Sequence, residues 1–224
     1  MNMIAKMIAL DWRSMKIYQI RGLILPAAAF LFGWFYGCIF VIPLSVIFCI
    51  SFSINPFAVE DKGELNNFYL TLPLKRKEIV TGRYALSLII LLCGIIMSII
   101  MMLITNQISM SKWFLGVEGY MVVIALGYLM YSLGNIFMFP ILFRIGYTKG
   151  KFFGFYLPVI FFGVVFGVYT AVSYMPGNGN MVSGLIFYAL SHMPLIAGGM
   201  AVLATVLLIL SYFISVRMYS KRNF

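Results

Sequence analysis

The chain has 224 residues, of which 63% are hydrophobic and 10% charged, and its mean hydropathy is +1.02. A soluble domain is roughly half apolar and about 25% charged, and a disordered chain is poor in apolar residues, so both classes are excluded. Sixteen Lys and Arg against six Asp and Glu give a net charge of +10. In so apolar a chain this excess reads as basic residues collected in cytoplasmic loops, and no nucleic-acid partner is expected.

What remains is an all-α, polytopic integral membrane protein, and the positions of the charges divide it. Residues 1–16 are too polar to span. At 100° per residue, Met1, Ile4, Met7, Ile8, Trp12 and Met15 share one face, opposite Asn2, Lys6, Arg13 and Lys16. This predicts an amphipathic helix on the inner leaflet. Asp11 falls in the apolar sector. The simpler reading is a carboxylate snorkelling at a helix edge; the sharper one is a partner for a cation on a neighbouring element.

Residues 22–59 carry no charge and are flanked on both sides by basic residues. A span needs about 20 residues, and two spans, at 18–35 and 38–58, keep both flanks on one side. The turn between them falls at Gly33-Trp34-Phe35-Tyr36-Gly37, where aromatic rings suit the interface.

Residues 60–83 form the largest cytoplasmic loop. Leu65, Phe68 and Leu72 can share one face of a short helix. Pro73 pushes Leu72 out of the helical region and suits the first turn of a second helix. That second helix would run through Lys75-Arg76-Lys77 into the third span. An apolar stripe there is shaped to contact something; an ordinary solvated loop is the plainer alternative.

The uncharged runs 84–111 and 119–143 each hold one span, at 84–105 and 119–142. The 152–216 run holds two, at 152–174 and 195–216, separated by Pro176-Gly177-Asn178-Gly179-Asn180, which cannot continue a helix. The 175–194 segment therefore reads as an external turn and a short re-entrant or interfacial helix. Small residues, Gly127 and Gly134 in the fourth span and Gly163 and Gly167 in the fifth, mark possible packing faces. Six spans with both termini cytoplasmic put fifteen of the sixteen cations inside and only Lys112 outside, which is the expected bias.

Reactive chemistry is sparse. Cys38, Cys49 and Cys93 lie in apolar runs and read as small buried hydrophobes. A metal site needs several ligands, and the single histidine, His192, reads as an interfacial side chain. No ionisable residue sits deep in an expected span, which disfavours proton-driven transport. Gly146-Tyr147-Thr148-Lys149-Gly150-Lys151 is one residue short of a phosphate-binding loop, and Phe152 replaces the hydroxyl that would hold Mg²⁺. The chain is therefore not expected to be an enzyme: catalytic residues none, metal none.

Phe57-Ala58-Val59-Glu60-Asp61-Lys62, followed by Leu72-Pro73-Leu74-Lys75-Arg76-Lys77-Glu78-Ile79-Val80-Thr81-Gly82-Arg83-Tyr84, resembles a stretch of small bacterial ABC-2 type permeases. There an acidic residue precedes Leu-Pro-x-x-Arg-x-x-Ile-Val-x-x-Lys/Arg-Tyr. The closest character is that of permeases exporting peptides, including amphipathic toxins of the phenol-soluble modulin type. The resemblance implies a single ABC-2 transmembrane domain over 1–224 in a bacterial cell membrane. It implies a separate ABC ATPase subunit carrying ATP and Mg, so that no cofactor belongs to this chain. It also implies a second permease chain, identical or paralogous, in a dimer surrounded by membrane lipid.

By the same resemblance the 60–72 segment is a coupling helix. Glu60, Asp61, Glu64, Leu65, Phe68, Tyr69 and Leu72 contact the ATPase, and Asp11 on the N-terminal helix contacts it from the side. Closure of the ATPase pair would rock the spans and move a hydrophobic or amphipathic cargo outward. The competing reading is a membrane sensory or immunity protein that binds peptides without transport.

Overall fold

A computed structural model describes residues 3–15, 31, 34–35, 41–62, 75–108, 117–148, 150, 152, 160, 163–164 and 192–221. Among these the regular elements are helices: α1 (Met3–Ser14), α2 (Val41–Ser53), α3 (Asn55–Lys62), α4 (Arg76–Ile108), α5 (Val117–Ile145) and α6 (Met193–Ser220). Four stretches are long and apolar enough to cross a membrane: Leu44–Asp61, Arg76–Thr105, Glu118–Ile145 and Met193–Ser220. They overlie the spans expected at 38–58, 84–105, 119–142 and 195–216. The spans expected at 18–35 and 152–174, and the 175–194 segment, lie outside the described residues except at a few isolated positions.

Local chemistry explains the helix boundaries. Pro56 has no N–H to offer to the carbonyl four residues back. The stretch breaks at Ile54, whose carbonyl instead takes the N–H groups of Phe57 (3.0 Å) and Ala58 (3.3 Å). α3 thus starts as a separate short helix that carries Glu60 and Asp61 on its last turn. α4 begins at Arg76 and, as expected, runs unbroken from the basic cluster into the apolar stretch; the first turn expected at Pro73 lies outside the described residues. α5 ends at Gly146, whose φ of 79° is left-handed, the usual glycine stop after a helix. Its N–H reaches the Leu142 carbonyl at 3.0 Å.

Contacts fix the relative directions of the helices. Cys49 on α2 lies against Gly94 on α4, and a Cβ added to Gly94 would come within 2.1 Å of the Cys49 sulfur. Farther along, the Ser45 and Ser98 hydroxyls bond, so α2 and α4 run antiparallel. Tyr131 donates to the Ser87 carbonyl at 2.9 Å, and the Tyr84 ring meets Phe139; α4 and α5 are also antiparallel. Ser211 donates to the Asn135 carbonyl at 2.9 Å, and Phe143 packs edge-on against Tyr219. α5 and α6 therefore run parallel. The buried line of α6 is Ala197, Ala204, Ser211, Ser215 and Tyr219, mostly small residues that let helices approach closely. Of the small residues singled out, Gly127 faces Ile42 and Val46 of α2, whereas Gly163 has no neighbour within 4 Å of an added Cβ.

A membrane core supplies no water to polar groups, so each must find a partner within the protein. Ser51, Ser53, Thr81, Ser132 and Thr205 bond carbonyls one turn back. Tyr84 bonds Ser211 at 2.6 Å and Ser215 at 2.8 Å, joining α4 to α6. The Arg76 guanidinium donates to the Ser220 carbonyl at 2.7 Å. A cation at that position suits the partial negative charge of a helix C-terminus, and it ties the start of α4 to the end of α6.

Candidate functional site

The first turns of α4 meet α1, α3 and the end of α5, and this junction gathers the buried charges of the described residues. Arg83 is 2% exposed, Glu60 3% and Asp11 0%. The Arg83 guanidinium forms an ion pair with Glu60, and its Nε lies 3.7 Å from an Asp11 carboxylate oxygen. Its central carbon lies over the Phe57 ring, 4.3 Å from the centroid, and over that of Phe143 at 5.7 Å. A planar guanidinium suits this environment: its edge serves carboxylates while its face rests on aromatic rings.

Each element delivers its group for a reason visible in the chain. Met7 and Asp11 on α1 and Met15 just past its end are spaced four apart and are all buried, so they form one stripe. This corrects the snorkelling reading of Asp11. The carboxylate sits at the centre of the packed stripe, with Met7 against Gly82 of α4. Trp12, expected on the apolar face, is 46% exposed and lies beside that stripe. The amphipathic face of α1 is therefore spent largely on protein. On α3, the break at Ile54 turns Phe57 and Glu60, three residues apart, toward Arg83. Phe57 packs with Phe139 and Phe143, and Tyr84 closes the ring cluster.

Asp61 faces elsewhere. One of its carboxylate oxygens accepts both the backbone N–H of Thr148 (2.7 Å) and the Thr148 hydroxyl (2.8 Å). Thr148 lies just beyond Gly146, so α3 is fastened to the turn that leaves α5. Two adjacent acids thus tie α3 to the head of α4 and to the turn beyond α5.

The expected site residues therefore separate. Asp11 and Glu60 are brought together by Arg83 and face it, not a surface of this chain. Asp61 joins them through α3 and holds Thr148. Glu64, Leu65, Phe68, Tyr69 and Leu72 lie outside the described residues. Arg83, Phe57, Phe143 and Thr148 were not singled out as site residues. A signal for the central pair was present: Glu60 ends one uncharged run, and Arg83 immediately precedes the next. Among the described residues no group of three or more His, Cys, Asp or Glu could hold a metal ion.

A family model described as ABC-2 family transporter protein matches residues 2–220. The chain belongs to the ABC-2 transporter family. No curated protein and no solved structure matches it significantly. As an ABC-2 permease it is a multi-pass membrane protein of the transmembrane-subunit kind, a kind that is usually non-catalytic and works with an ABC ATPase. In this permease the buried charges mark where the N-terminal helix and the end of the α2–α3 segment are fastened to α4.

Proposed function

We propose that the chain is the membrane half of an ABC exporter. In this reading a separate ATPase binds ATP and Mg, two permease chains enclose the path, and an amphipathic cargo such as a peptide leaves a bacterial cell. The observation that carries the reading is the family match over residues 2–220. The charge junction agrees with it: α1, α3 and α4 meet at the end of the bundle where Lys75, Arg76 and Lys77 are exposed, the end that positive-inside bias makes cytoplasmic.

Helix directions support six spans. α5 and α6 run parallel, which favours one further crossing between them, and the apolar run 152–174 is long enough to make it. α2 and α5 also run in one sense, with α4 opposed, as spans two, four and three should. Both termini then lie inside. The long apolar faces of α4 and α6, with Leu92, Ile96 and Leu103 on one and Val202, Leu203 and Phe213 on the other, face lipid or the second permease chain.

The docking surface in this reading is the segment that follows Lys62. Glu64, Leu65, Phe68, Tyr69 and Leu72 would present an apolar stripe with an acidic edge to a groove of the ATPase. Co-expression of the permease with an ABC ATPase tests this. The parental chain is expected to co-purify with the ATPase in equal amounts, and the Leu65→Asp/Phe68→Asp variant to lose it. Equal retention by the variant would place docking elsewhere. A parental chain that captures no ATPase and instead binds amphipathic peptide without turnover would favour the sensory reading.

A further inference from the structure

Glu60 and Asp61 are neighbours on the last turn of α3, yet their carboxylates hold opposite sides of the junction. Glu60 engages Arg83 of α4, which also engages Asp11 of α1. Asp61 engages the N–H and hydroxyl of Thr148, beyond the end of α5. α3 is only eight residues long and is followed directly by the proposed docking segment. A displacement applied just after Lys62 therefore reaches α3 first. From there it has two polar routes, one into the head of α4 together with α1, the other into the end of α5.

We propose that Glu60 and Asp61 are positioning residues. They form a joint that makes α1, the head of α4 and the end of α5 move as one plate, instead of contacting the ATPase themselves. The proposal rests on the exporter reading for its driving force, but the plate exists in the permease alone. The Asp61–Thr148 arm is the one to test, because it can be weakened at Thr148 and cut at Asp61. Thr148→Val keeps the shape and the backbone N–H but removes the hydroxyl, and Thr148→Ser retains both donors. Asp61→Ala removes the acceptor. A charge-assisted pair of hydrogen bonds is the kind of link whose loss uncouples two elements by local opening while leaving the remaining fold intact.

The experiment uses full-length permease in lipid nanodiscs, with its cysteines replaced and nitroxide labels at Lys77→Cys and Ile145→Cys. Both positions are exposed, one on the head of α4 and one at the end of α5. Labelled chain is diluted with unlabelled chain, so that only distances within one chain are read. The parental chain is expected to give one narrow distance, unchanged when the co-purified ATPase is trapped with ATP and vanadate. In Asp61→Ala the distribution is expected to widen about twofold and to shift on trapping, and in Thr148→Val, which keeps the backbone bond, to widen less. Thr148→Ser should restore the narrow distance, and Thr148→Val should retain the ATPase.

An Asp61→Ala distance as narrow and as unresponsive as the parental one overturns the proposal. So does an Asp61→Ala chain that loses the ATPase while Thr148→Val keeps it, since Asp61 would then be a docking contact. If the parental chain binds no ATPase, the exporter reading fails, while the widths measured without nucleotide still decide whether the joint exists.

Discussion

At the scale of single residues the central fact is an arginine held by two carboxylates out of reach of water. Moving such groups from water costs several kcal/mol per ion, which good pairing offsets but seldom exceeds. The cluster is therefore better understood as a device for alignment than as a source of stability. Removing one member is a different matter, because it strands the others. Arg83→Met should destabilise the permease by about 3–5 kcal/mol. Replacing all three groups, as Asp11→Leu/Glu60→Met/Arg83→Met, should return stability to within about 2 kcal/mol of the parental chain. Thermal unfolding in detergent compares the two. A triple variant no more stable than Arg83→Met would show that the charges themselves hold the junction together.

At the scale of elements, helix pairs are set by where backbones can approach. The α2–α4 crossing is centred on Gly94, where an added Cβ would lie 2.1 Å from the Cys49 sulfur, well inside any tolerable contact. Overpacking of this kind costs about 1–3 kcal/mol. Gly94→Ala should therefore lower thermal stability in proportion, and adding Cys49→Ala should recover most of the loss, because it removes the colliding atom. Equal melting temperatures for the single and double variants would mean that the crossing is held elsewhere. The broken α2–α3 segment is an element-scale consequence of Pro56. Without that break, one straight helix would aim Phe57 and Glu60 by the register of α2 instead of turning both onto Arg83. Gly94 itself was not singled out in the sequence, because one glycine in a chain with twenty carries no signal until the partner helix is in place.

At the scale of the molecule, the distribution of cations sets the proposed orientation, and the relative directions of α2, α4, α5 and α6 are compatible with it. Single cysteines introduced into a cysteine-free chain at positions 2, 112, 178 and 223 test it with a membrane-impermeant maleimide on intact cells. Positions 112 and 178 are expected to react from outside, and 2 and 223 only after the membrane is opened. Labelling of either terminus from outside would invert the bundle and remove the charge junction from the ATPase side. The junction lies at one end of the bundle, where α1, α3, α4 and α5 meet and where Arg76 also caps α6. In the proposed reading, that is the place from which a push at the membrane surface reaches the spans.

The apolar runs by themselves determined that this is a helical membrane protein. Bilayer thickness fixes span length, and the cost of burying charge confines Lys and Arg to the helix ends. The acid–Leu-Pro–Arg-Tyr pattern likewise carried the family. What the linear pattern could not decide was which charges meet. Asp11, Glu60 and Arg83 are separated along the chain by dozens of residues, and each taken alone fits a loop or an interface. Only the packing of α1 and α3 onto the head of α4 removes water from all three at once. Without water, each charged group must find its partner within the protein.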